Sequence, residues 1–152
     1  MDQDKVIDTL NGLIENCKDG EYGFQSTAEH VRTPNLKQVF LSRADDCHMA
    51  AQQLQNFVTR LGGKSAVSGT LAGAAHRGWV AVKGTLAGYS DLRMLEEAER
   101  GEDASVARYR EALDENLPPD VHSLVQMQYE GAQRNHLQIR KLRDQARQAQ
   151  QA

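Results

Sequence analysis

The chain has 152 residues, of which 39% are hydrophobic and 26% charged, with eight aromatics (one Trp, four Tyr, three Phe) and a net charge of -3. A length of this order corresponds to a single domain over 1–152, and the composition suits amphipathic helices with wet outer faces. The charge offers no basic stripe to nucleic acid or an anionic membrane, no apolar run approaches the ~20 residues that span a bilayer, and MDQDKVIDTL lacks a signal-peptide core.

The cytosol is therefore the expected compartment, and Cys17 and Cys47 are expected as thiols whose spacing fits no zinc motif. The first segment carries Val6, Leu10, Leu13, Ile14, Cys17, Phe24, Ala28 and Val31. Steps of three and four predict a helix over 3–31 with one buried stripe. The stripe has a gap between Cys17 and Phe24, and Glu21 is spaced to fill it. Arg32-Thr33-Pro34 ends this helix, because the residue before a proline resists the α region.

A second helix is predicted over 34–61, with Pro34 in its first turn and Leu36, Phe40, Ala44, Cys47, Ala51, Leu54, Val58 and Leu61 along its stripe. A neighbouring edge carries Leu41, Asp45 and His48. Gly62-Gly63 terminates the helix. The short connection makes the first two helices antiparallel. Residues 66–88 then contain GTLAG twice around AAHRGWVAVK. Leu71, Ala75, Trp79, Val82 and Leu86 keep helical spacing, so a glycine-punctuated crossover helix is expected there.

Ser90 or Asp91 caps a third helix over 91–116, whose stripe of Leu92, Leu95, Val106, Tyr109 and Leu113 is interrupted at Glu99 and Glu102. Pro118-Pro119 breaks the chain. A fourth helix follows over 121–147, with a fraying tail. The long connection between helices 2 and 3 can traverse the bundle and make those two helices parallel, whereas an up-down-up-down bundle needs only a short loop.

Each stripe loses its apolar character near mid-helix. A buried charge is costly unless paired or metal-bound, and four interruptions at similar depth suggest that the polar residues meet. A carboxylate metal site in a bundle asks for one acid from each of two helices and an acid-x-x-His pair from each of the others. Helix 1 offers Glu21 and helix 2 offers Asp45-x-x-His48. Helix 3 offers Glu102, with Glu99 one turn earlier, and helix 4 offers Gln133-x-x-His136. Carboxylate oxygens with imidazole suit iron, manganese or zinc.

This order of residues, with the long crossover, resembles the ferritin-like superfamily of bacterioferritins and rubrerythrins. HMAAQQLQNFVTRLGG is similar to their second helix from its His onward, and GEDASVARYREAL to their third. LNGLIENCKDGEYGF, AAHRGWVAVK and LEEAERGED resemble, more narrowly, a proteobacterial family of small four-helix proteins with no assigned function. The resemblance implies an all-α, ferritin-like four-helix bundle with a partly helical crossover. The superfamily has Glu where this chain has Asp45 and Gln133. Asp reaches less far across a bundle, and Gln cannot bridge two cations.

The expected function is therefore that of a structural or interaction module without a cofactor, in which the polar layer sets helix register. Such a module would self-associate, as a dimer, through the GTLAG glycines and Trp79. The alternative is a protein holding one Fe, Mn or Zn ion on residues drawn from Glu21, Asp45, His48, Glu102 and His136, with Glu99 and Gln133 nearby. No residue is nominated as catalytic, and any activity would be that of a ferritin-like oxidoreductase.

Overall fold

The computed structural model describes residues 2–67, 69 and 90–151. Among them are four helices and no strand: α1 (Gln3–His30), α2 (Pro34–Arg60), α3 (Asp91–Leu113) and α4 (Pro119–Gln151). Their ends follow from local chemistry. Asp2 caps α1 by accepting from the Lys5 amide at 2.9 Å, and Ser90 caps α3 by accepting from Arg93 at 3.1 Å. Past the end of α2, Gly62 adopts φ +78°. The Gly63 and Gly62 amides return to Val58 and Thr59 at 2.9 and 3.0 Å, a Schellman closure that a side chain at Gly62 would strain.

Three predicted ends shift by two residues or more. The chain leaves α3 at Leu113, because the Asp114 amide is shared between Arg110 and Glu111 and the Glu115 amide closes a tighter turn onto Ala112 before the proline pair. α4 starts at Pro119, in the favoured first position, and continues as helix through the expected fraying tail to Gln151. Ala66, Val67 and Gly69 are not helical. The rest of the expected crossover helix, with His76, Trp79 and most of both GTLAG segments, lies outside the described residues.

The buried stripes meet in two apolar clusters. One joins Val6, Leu10 and Ile14 of α1 to Leu54 and Val58 of α2, Tyr109 of α3, and Val121 and Val125 of α4. The other joins Phe24 and Ala28 to Leu36 and Phe40, Met94 and Leu95, and Ile139. Phe24 and Phe40 stack there with ring centroids 6.1 Å apart. α1 and α4 thus run from the first cluster to the second, while α2 and α3 run the opposite way. Helices 2 and 3 are parallel, as the long connection predicts.

Asp91 ties the far end together. Its carboxylate accepts from the Arg32 amide at 2.7 Å, the Thr33 amide at 3.2 Å and the Thr33 hydroxyl, clamping the α1–α2 turn to the start of α3. At the near end, Asn11 donates to the Lys64 carbonyl at 3.0 Å and accepts from the Ala66 amide at 2.8 Å, so the chain leaving α2 turns back along α1. Mid-bundle, α1 and α2 come close at Gly20. A methyl group there would stand 2.8 Å from the Cys47 sulfur. Gly20, rather than Glu21, fills the gap in the first stripe.

Candidate functional site

Between the two apolar clusters lies a polar middle. Cys17 and Tyr109 are buried side by side, Sγ to Oη 3.4 Å, and Tyr109 donates to Gln128 Oε1 at 2.8 Å. With the phenol proton so engaged, the Cys17 thiol is the donor in the sulfur contact. Gln128 Nε2 continues the chain to the Ala50 carbonyl at 3.2 Å and Gln53 at 3.0 Å, bridging α4 to α2. Burial pushes the Cys17 thiol up to about 11 and Cys47 well above its ordinary value. Both are kept as inert thiols at neutral pH.

The nominated residues separate into three places. On the α1–α2 seam, His48 Nδ1 lies 3.2 Å from the Glu21 carboxylate, with Lys18 Nζ 3.7 Å from the same group. Asp45 is exposed, as is Leu41. The edge expected to carry Asp45 inward is turned outward, because Arg43 and Cys47 take the inward positions on α2. In the interior, Glu102 is 6% exposed and Arg43 is 9% exposed. Burial drives the Glu102 carboxyl up to about 8, against the pull of the Arg43 guanidinium and with help from Asp103 and Glu99.

The third place is the seam between α3 and α4. His136 Nε2 is bonded to the Asp103 carboxylate, and Glu99 to Arg143. Gln133 is exposed and donates to Tyr129 Oη at 3.0 Å. Donor atoms of Glu99, Asp103 and His136 lie within 4.8 Å of one another, the one such group of three among the described residues. A cavity of about 330 Å³ opens onto Asp103 and His136 and is bordered by Val106, Arg110, Gln133 and Leu137. Asp103 is not among the residues that the interrupted stripes nominate, because Glu102 rather than Asp103 keeps the spacing of the buried face. The signal was present in Glu99-x-x-x-Asp103, since i and i+4 share a helix face.

A two-metal centre in the bundle's middle would need the acids and both histidines to converge. Here His48 is engaged by Glu21 on one seam and His136 by Asp103 on another, and a buried guanidinium stands beside Glu102. These residues do not fit such a centre. Glu99, Asp103 and His136 fit one ion: two carboxylates and an imidazole, a donor set for Fe(II), Mn(II) or Zn(II).

Four long helices with α2 parallel to α3 and a polar middle define a ferritin-like bundle, and solved structures bear this out. The chain is similar to the dodecameric thioferritin of Bacteroides fragilis, a bacterioferritin-related protein. The TM-score is 0.76 at 16% identity, over 99% of this chain and 92% of that one. It is also similar to a mutant of Mycobacterium smegmatis Dps1, with a TM-score of 0.73 at 15% identity, over 93% of this chain and 96% of that one. More particularly, the chain belongs to the family described as a domain of unknown function, DUF2383, whose model matches residues 5–115. That span includes LNGLIENCKDGEYGF, AAHRGWVAVK and LEEAERGED, on which the narrower resemblance rests. No curated protein sequence matches the chain. No helix among the described residues is long and apolar enough to cross a membrane.

Proposed function

We propose that this protein is a ferritin-like metal-binding protein holding one divalent transition metal between α3 and α4, on Glu99, Asp103 and His136. The convergence of three donor atoms within 4.8 Å carries the reading. The similarity to a thioferritin supports it at the level of fold. The ion takes the place of the His136–Asp103 contact and competes with Arg143 for Glu99, and since metal ligands bind in their deprotonated forms, affinity falls as the pH is lowered. The test is metal analysis of tag-free protein after incubation with Fe(II), Mn(II) or Zn(II) and desalting. About one equivalent is expected in the wild type and in His48→Ala, with at least a tenfold loss of affinity in His136→Ala. Less than a tenth of an equivalent, or equal binding in His136→Ala, overturns the reading.

A second reading is favoured by the pairings themselves. Glu99 already pairs with Arg143 and Asp103 with His136, and Glu96 with Arg147 at 3.4 Å extends the seam. Such a layer sets the register of α3 on α4 without any ion, in a module that acts by self-association. Self-association is supported by the dodecameric state of the similar thioferritin. Sedimentation at about 50 µM should show a closed oligomer; a monomer at that concentration rules self-association out.

A further inference from the structure

The centre of the bundle holds a second cavity, of about 620 Å³, that the metal reading does not use. It exists because the walls are cut back. A Cβ at Gly23 or Gly101 would meet nothing within 4 Å. Ala50 and Ala98 add little bulk, and Phe24 supplies an apolar wall. Among its lining residues the exposed ones include Met49 on α2, Arg100 and Gly101 on α3 and Arg134 on α4, and α2 and α4 are the walls that stand apart, touching sparingly. A volume of this size falls within the range of small-molecule sites.

Three polar side chains in this cavity are at least nine-tenths buried: Arg43, Glu97 and Glu102. Each keeps one atom without a hydrogen-bond partner, namely Arg43 Nε, Glu97 Oε2 and Glu102 Oε2. Folded proteins pair nearly all such groups, so three orphans in one cavity indicate a missing partner. Arg43 and Glu102 feel each other's charge, yet no hydrogen bond joins them. One group is a cationic donor on α2 and the other an acceptor on α3. Arg43 Nη1 reaches Asp46 at 3.4 Å and Glu97 lies 3.6 Å from Arg100. A ligand bearing only a cation therefore leaves Arg43 Nε unsatisfied, and one bearing only an anion leaves the open oxygens of Glu97 and Glu102 so.

We propose that this cleft binds a small zwitterion with an apolar body, an α-amino acid or dipeptide. Its carboxylate accepts from Arg43 and its ammonium donates to Glu102. The apolar side chain packs towards Phe24, and Glu97 accepts one further donor. The proposal uses none of Glu99, Asp103 or His136 and stands independently of the metal reading.

Calorimetric titration of the full chain with L-phenylalanine tests it, beside 3-phenylpropionate and phenethylamine, which keep the ring but carry one head group each. L-phenylalanine is expected to bind at least tenfold more tightly than either analogue. Arg43→Met should weaken it at least tenfold, and so should Gly101→Leu, which fills the cavity without touching a charge. His136→Ala should leave it unchanged, and Arg43→Met should leave metal uptake unchanged, so the two readings fail separately. No heat at about 10 mM L-phenylalanine means the cavity holds water only and overturns the proposal. Equal binding of either analogue, or undiminished binding in both the Arg43 and Gly101 variants, overturns it as well.

Discussion

Glu102 sets the middle of the bundle against its own stability. Its carboxyl is 6% exposed, has no hydrogen-bond partner for Oε2, and is raised to about 8 by burial. In the unfolded chain it returns to the ordinary value near 4.5. Below that pH it is protonated in both states and contributes nothing. As the pH rises from 4.5 towards 8, the unfolded chain gives up the proton and the folded chain keeps it, so stability falls through this window. Above 8 the folded chain carries the whole penalty, on the order of 5 kcal/mol. Glu102→Gln should therefore flatten urea-unfolding stability between pH 4.5 and 8 and exceed the wild type at pH 8.5. Parallel pH profiles for the two proteins would show that Glu102 is ordinary.

At the scale of the helices, Gly101 is the weak point of α3. It sits mid-helix, and an added Cβ meets nothing within 4 Å. Gly101→Ala should stabilise the protein by about 1 kcal/mol through helix propensity alone. A destabilised variant in urea unfolding would mean that the backbone there is held for some other reason. The helices themselves were legible, because spacing, Pro34, Gly62 and Ser90 are local signals. Buried charges were harder to read. Arg43 keeps the buried spacing, three after Phe40 and four before Cys47, yet its charge makes it look like part of a wet face. Glu97 was hidden in the same way within LEEAERGED. Both became visible only when the helices were packed, since burial depends on rotation and one residue turns a helix by about 100°.

For the whole molecule, topology was readable because a long connection and a short one cannot serve the same pair of helices. Convergence was not. His48 and His136 share a depth, but one points along the α1–α2 seam and the other along the α3–α4 seam. Depth can be counted in residues, whereas direction requires the rotation of all four helices. An ion on the α3–α4 seam would bridge two consecutive helices, and the unfolded chain offers no preformed site for it. It should therefore stabilise the entire bundle by mass action, by about 2.7 kcal/mol at a hundredfold excess over Kd. For a chain of this length that corresponds to a rise in Tm of roughly 5–10 °C. Calorimetric melting with and without Zn(II) or Mn(II) should show this rise in the wild type and in His48→Ala but not in His136→Ala. An equal rise in all three proteins would place the ion elsewhere. No rise in any would leave the seam as a register device built from its own ion pairs.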